Sequence, residues 1–391
     1  MYPDWPEPGV PLLPLPRCFG PKLKPFDFQG PQEIEFLSYL GEGLHSHVIK
    51  IKIHGQIYAL KLFRFVHDCD WLGSAEDSNP NDLAEMSAFY NFSEPFSAEC
   101  RAFGRLEEVG RRDLAIRCYG YIFLDEKHER ALQDLMNLDL EGNNEYPTDD
   151  LRSRFVGKNG RAPPVRCIVK EFGRADEDLR NGSARRILRD VVQLQQLGII
   201  HIDVGHRQLI NGKLADFSTA MTTPHYIINA EMNPLLKPAG IAALEFETFQ
   251  FSINDYWYFD EMILEWNEEH EDPKDQVSVF AFSYGQGWRR RYNLRRTPNR
   301  DRVYSLVDPR KFYPQVYPPL EQIARARRGD HIKPPPGGVP KRRRLRVDAK
   351  PPRWYYDCDS AVAADLKSTT QCSTSLEWNY KNGLFWPKPR R

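Results

Sequence analysis

The chain has 391 residues, in which 54 Lys plus Arg balance 54 Asp plus Glu. That length fits one large two-lobed domain or two smaller ones with tails, and the neutral total favours no class of partner. No run of about 18 apolar residues occurs, which excludes a helical membrane span. No basic segment followed by an apolar run opens the chain, so an intracellular protein is expected. The seven cysteines (Cys18, Cys69, Cys100, Cys118, Cys167, Cys358 and Cys372) form no Cys-x-x-Cys pair, so neither a zinc site nor a disulfide framework is indicated.

Residues 1–32 are rich in proline (Pro3, Pro6, Pro8, Pro11, Pro14, Pro16), which predicts an extended tail packed loosely on its own domain. Ile34 to Leu40, Val48 to Ile53 and Ile57 to Phe63 then read as a three-stranded antiparallel meander, turning at Gly41–His47 and at His54-Gly55. If Leu60 and Leu62 are core, Lys61 between them faces the other way. Trp71 to Glu94 is polar and reads as an insertion, and Phe96 to Val109 reads as a helix carrying Glu99, Arg101, Phe103, Leu106 and Glu107. Cys118 to Leu124 is the next strand. About 40 polar residues follow, Asp125 to Pro164, a second insertion with helical character at Leu132 to Leu140. Val165 to Val169 is again a strand, running into Lys170-Glu171-Phe172-Gly173.

Ser183 to Leu197 is the clearest helix. Ile187, Leu188, Val191, Val192, Leu194 and Leu197 recur at helical spacing, Ser183 is the expected cap and Gly198 the stop. In Ile200 to Ser218, Asp203 and Asp216 flank a strand-turn-strand built on Asn211-Gly212, a strong hairpin signal, so both carboxylates can face one cleft. Thr219, Thr222, Thr223, Pro224 and His225 come next, then Ala243-Leu244-Glu245, and Asp255-Tyr256-Trp257 opening a helix that continues through Trp266. Beyond Glu268 the chain turns acidic, then basic and aromatic (288–302, with Trp288 and Tyr292), then proline-rich. The run at 341–346 reads as a nuclear localisation signal for an import receptor. The basic and aromatic residues of 289–302 read alternatively as a nucleic-acid contact. The aromatic end (Trp354 to Tyr356, Trp378, Tyr380, Phe385, Trp386) is expected to pack back on the domain or on a partner.

In this order the motifs resemble those of a protein kinase. Gly41, Gly43 and Val48 match the glycine-rich loop, with Ser46 for its third glycine. Tyr58-Ala59-Leu60-Lys61 matches V-A-I-K, Glu99 the helix glutamate (Glu107 in another register), His201-Ile202-Asp203 the catalytic H-R-D, and Asp216-Phe217-Ser218 the D-F-G. The resemblance implies an α+β, two-lobed kinase-like fold with an antiparallel β N-lobe at 33–173, insertions near 71–94 and 125–164, a helical, truncated C-lobe at 174–272, and a basic, proline- and aromatic-rich extension at 273–391. It implies that ATP and Mg2+ are bound: Gly41, Gly43 and Val48 over the phosphates, Ala59 leaving room for adenine, Lys61 on the phosphates with Glu99 as its partner. Hinge backbone at Lys170 to Gly173, Glu171 included, would hold adenine. Asp203 would be the catalytic base, with Asp216 and Gln208 on the metal. Departures fall on the same details: Ile202 replaces an arginine, Gln208 an asparagine and Ser218 a glycine, and Asp216 follows Asp203 by only 13 residues.

More closely, the stretches around Glu99-Cys100-Arg101-Ala102-Phe103-Gly104-Arg105-Leu106, His201-Ile202-Asp203-Val204, Leu209 to Ser218 and Thr223-Pro224-His225 look like the fungal kinetochore subunits of the Fta type, from the Sim complex. That resemblance implies a nuclear, centromere-associated protein with protein partners. Its kinase-like domain would be either a divergent Ser/Thr kinase or an inactive pseudokinase scaffold.

Overall fold

The computed structural model describes residues 20–65, 83–136, 160–175, 178–227 and 241–281, with residues 4–6, 12, 152, 356–357, 360–361, 364, 377–381 and 384–388. The basic runs at 289–302 and 341–346, with Trp288 and Tyr292, lie outside the described residues, as do Cys18, Cys69, Cys358 and Cys372. Cys100, Cys118 and Cys167 are free thiols. Among the described residues no helix is long and apolar enough to cross a membrane.

The architecture is mixed α and β. The meander forms as β1 (Glu35–Gly43), β2 (Ser46–Ile53) and β3 (Gln56–Phe63), and continues into β5 (Arg166–Glu171) and β4 (Cys118–Phe123). The result is a five-stranded antiparallel sheet ordered β1-β2-β3-β5-β4. Strand alternation separates Ile49, Ile51, Leu60, Leu62 and Val169 from Lys61, Phe63 and Ile168. Both sets are buried. The first shares an apolar cluster with Met86, Phe89 and Phe92 of α1 (Leu83–Phe92), while Phe63 and Ile168 share another with Phe96 and Phe103 of α2 (Pro95–Glu108). Burying each such side chain contributes about 1.5–3 kcal/mol, so the sheet is held between two layers.

Several expectations are corrected by this packing. The insertion expected at 71–94 ends in α1, whose Phe89 and Phe92 meet Tyr226 and His225 at ring distances of 5.4 Å. His225 lies 133 residues from Phe92 in sequence, and Tyr226 is further still from Phe89, where a local reading does not find them. α3 (Glu126–Met136) starts earlier than Leu132, because the Asp125 carboxylate caps it, accepting the His128 N–H at 2.9 Å. β5 runs on through Lys170 and Glu171, so those two residues are strand rather than hinge. The segment after Gly20 is no loose tail: Phe26 N–H donates to the Tyr121 carbonyl (2.8 Å) and Tyr121 N–H to that of Lys24 (3.1 Å). This covers the edge of β4, a place where strands otherwise remain open to foreign pairing. Gly104 and Gly120 admit it, since a Cβ there would come within 2.7 Å of Leu23 N and 2.6 Å of Phe26 N.

The remaining helices are α4 (Asn181–Gln196) and α5 (Ile241–Glu269), joined in one apolar cluster through Ile187, Val191, Leu194, Phe259, Met262, Ile263 and Trp266. Ser183 is not the cap but the third helical residue. Its hydroxyl accepts the Arg180 N–H and donates to the Arg180 carbonyl, both at 2.9 Å. Gly198 ends α4 at φ +75°. Between the helices, β6 (Ile199–Ile200) pairs with β9 (Met221–Thr222), and β7 (Leu209–Ile210) with β8 (Lys213–Leu214) around Asn211-Gly212. Both turn residues have positive φ (50° and 71°), as the primed hairpin turn requires. Asp255-Tyr256-Trp257 lies within α5 rather than at its start, and Thr222 and Thr223 are buried. Core packing continues to Val277 and Ala281, past the boundary expected at 272. At the far end β10 (Tyr356–Asp357), β12 (Leu384–Lys388) and β11 (Glu377–Lys381) form a small sheet, and Tyr380 packs against the main cluster.

Candidate functional site

Three elements far apart in sequence converge on the Lys61 ammonium. β3 carries Lys61 on the sheet face that meets α2, one turn into α2 stands Glu99, and the residues after β8 present Asp216. Lys61 Nζ donates to Glu99 Oε2 at 2.8 Å and to Asp216 Oδ1 at 2.6 Å. Glu99 is fully buried and the Asp216 side chain is 30% exposed, so the cluster opens on the Asp216 side. Burial by itself would depress the Lys61 ammonium, but Asp216 and Glu99 outweigh it and its pKa is raised. Burial would lift Asp216, yet Lys61 and Lys170 hold it far below the usual carboxylate range. Lys61 and Asp216 are therefore held in their charged forms. Glu107, the other candidate for the Lys61 partner, instead pairs with Lys24 and Arg112 at the surface.

The glycine turn lies over the same sheet face. Val48 is the strand partner of both Gly41 and Lys61, so Val48 and Lys61 share a face. A Cβ built on Gly41 or Gly43 meets nothing within 4 Å among the described residues. Ala59 is half-buried two residues before Lys61 and pairs with Lys170 on β5. Glu171, half-buried, gives its N–H to the Arg117 carbonyl at 2.8 Å. At the mouth, His45 of the glycine turn hydrogen-bonds the Ser218 hydroxyl (3.3 Å).

Asp203 is held at both oxygens. Oδ1 pairs with Arg207 and Oδ2 accepts the Gln208 amide at 2.6 Å. The backbone around it is strained: Ile202 has φ +69°, an outlier for a β-branched residue worth about 1–3 kcal/mol. Asp255 from α5 accounts for its persistence. Its carboxylate accepts the N–H groups of Ile202 (2.6 Å) and His201 (3.0 Å) and the Gln195 amide (2.7 Å). Burial nevertheless pushes Asp255 up to about 6, against those three bonds. His201, with its ring 4.7 Å from that of Phe217, is pulled down to about 4 by burial and is neutral at pH 7.

The structure thus brings together Gly41, Val48, Ala59, Lys61, Glu99 and Asp216, with Asp203 and Gln208 as a neighbouring pair. Sequence reasoning missed Lys170, which lies inside the cluster. It pairs with Glu99 and donates to the Ala215 carbonyl at 2.7 Å. Its signal was a lysine two residues after Ile168 on the same strand face, legible only once β5 is registered against β3. Arg207 was missed too; its pattern, a cation four residues after an aspartate, is common on any surface turn.

For a metal, the two candidate ligands offer hard oxygens, the Asp216 carboxylate and the Gln208 amide oxygen, while the Gln208 amide nitrogen is turned to Asp203. Among the described residues no group of three His, Cys, Asp or Glu stands ready to hold an ion alone. One or two carboxylates that leave the rest of the shell to phosphate and water suit Mg2+ rather than a structural metal, so the residues fit a magnesium–nucleotide and not a free-standing metal centre.

Residues 11–221, more than half of the chain and including Lys61, Glu99, Lys170, Asp203 and Asp216, match the family model described as kinetochore Sim4 complex subunit FTA2. A comparison with curated proteins found no match.

Proposed function

This chain belongs to the kinetochore Sim4 complex subunit FTA2 family, and from that premise we propose that it is a chromosome-associated kinetochore subunit built on a divergent protein-kinase-like fold that binds ATP with Mg2+. The observation that carries the reading is the Lys61 ammonium held between Glu99 and Asp216 at 2.8 and 2.6 Å, beneath a turn whose glycines leave open space. Burying the Lys61–Glu99 ion pair costs several kcal/mol of desolvation, and an apolar core would hold the sheet to α2 without it. In this reading Lys61 binds phosphate oxygens, Glu99 orients it, the Gly41–Gly43 backbone closes over the phosphates, and Asp216 with Gln208 faces the metal. Bound Mg2+ would supply neutralisation of the developing phosphate charge. Asp203 would take the proton of a Ser or Thr hydroxyl, and Gln208 holds its carboxylate in place.

A second reading, a pseudokinase scaffold, is favoured by two observations. Both Asp203 oxygens are engaged, by Arg207 and by Gln208, and Thr222 and Thr223 are buried rather than displayed for phosphorylation. The test is thermal melting of the full chain with Mg-ATP, wild type against Asp216→Ala, alongside phosphate transfer by wild type and Asp203→Ala. Stabilisation lost in Asp216→Ala supports nucleotide binding; no stabilisation at millimolar ATP removes it. Transfer that depends on Asp203 makes the protein an enzyme, and binding without transfer makes it a scaffold. In either case the family implies protein partners in an assembly, and the basic run at 341–346 supplies an address for nuclear import.

A further inference from the structure

We propose that Lys170 is the positioning residue of this site: it holds Glu99 and Ala215 so that the Lys61 ammonium is left for the ligand. The inference rests on the nucleotide-binding reading. Glu99 has two carboxylate oxygens, and each faces a different lysine, Oε2 Lys61 and Oε1 Lys170. Lys170 stands opposite Ala59 across the β3/β5 pair, so its stem shares the sheet face of Ala59 and Lys61. From there its ammonium reaches α2 at Glu99 and the loop before Asp216 at the Ala215 carbonyl (2.7 Å), and lies 5.4 Å from the Phe103 ring centroid. One side chain on β5 thereby ties α2 to the strand-loop that carries Asp216.

The physical consequence follows from charge. A buried glutamate with a single cation draws that cation fully to itself. With Lys170 holding one oxygen, Glu99 shares its charge between two ammonium groups, and Lys61 keeps a hydrogen and attraction to spare for a phosphate. Burial and the neighbouring Lys61 depress the Lys170 ammonium, while Glu99 and Asp216 oppose that shift, consistent with a group that serves other side chains rather than solvent. Lys170 also limits motion. α2 cannot swing away from β5 without leaving an ammonium unpaired, and the Ala215 loop cannot turn over without losing its donor.

The experiment is a double-mutant cycle on Mg-ATP affinity by calorimetric titration of the full chain, with wild type, Lys61→Met, Lys170→Met and the double variant. Lys170→Met is expected to weaken binding about tenfold in the wild-type background and less than about twofold in Lys61→Met, because the group it acts through is already gone. Additive losses would mean that Lys170 touches the ligand itself or serves only the fold, and would overturn the proposal. So would unchanged affinity in Lys170→Met, with the nucleotide reading left standing. Absence of binding by wild type overturns both. Where Lys170→Met does not fold, Lys170→Gln, which keeps an N–H for the Ala215 carbonyl, carries the same cycle.

Discussion

Replacing Glu99 by glutamine keeps the shape of the side chain and removes the charge on which two buried lysines depend. At 2.8 Å and an effective dielectric constant of ~20, the Lys61–Glu99 attraction is about 6 kcal/mol before desolvation is subtracted. Glu99 is fully buried and Lys61 nearly so, so the relevant quantity is the cost of leaving a buried charge without its partner, about 3–5 kcal/mol. For a domain of this size each kcal/mol moves the melting midpoint by ~2–4 °C, and Glu99→Gln should melt roughly 10 °C below wild type. The variant still offers oxygen and nitrogen for hydrogen bonds, so the loss reports charge and not packing. Adding Lys170→Met removes one stranded ammonium and should recover about half of the loss. The assay is circular-dichroism melting at pH 7.5 of wild type, Glu99→Gln and the double variant. A Glu99→Gln midpoint within about 2 °C of wild type would show that the ion cluster does not form as described.

His225 sets a pH dependence. Its Nε2–H donates to the Phe92 carbonyl at 3.2 Å and its Nδ1 accepts the Ile227 N–H at 3.2 Å, a pairing only the neutral ring can make. Burial, with Arg101 nearby, brings it down to about 3 from 6.5. The unfolded chain therefore takes up the proton first, so this contribution is complete above about pH 6.5 and is lost as pH falls towards 3. Urea denaturation should show about 2 kcal/mol less stability at pH 5 than at pH 7.5 from this group; a His225→Gln protein with the same pH slope would exclude it. Gly120→Ala tests the N-terminal strap. Gly120 has φ +139°, and a Cβ would lie 2.6 Å from Phe26 N, so residues 22–26 must lift off β4. Trypsin should then cut after Lys22 at least about tenfold faster, and an unchanged rate would mean the strap is not seated there.

The small-spacing rules of the sequence determined much of the fold. Period-two alternation gave β2 and β3, Asn211-Gly212 the short hairpin, and the apolar face of residues 187–197 the helix α4, because each of these is decided by neighbours within a few residues. Lys61, Glu99 and Asp216 were named as site residues by the resemblance to protein kinases, which rests on the order of several short motifs and not on any one local pattern. Local signal failed where the deciding partner is remote. α1 is a helix because Phe89 and Phe92 find Tyr226 and His225, and residues 22–26 are docked because Gly104 and Gly120 leave room for them. Tertiary structure alone decided that Lys170 belongs to the cluster. Only the β3/β5 register sets it opposite Ala59, and only the seating of α2 against the sheet puts a carboxylate within reach of both lysines.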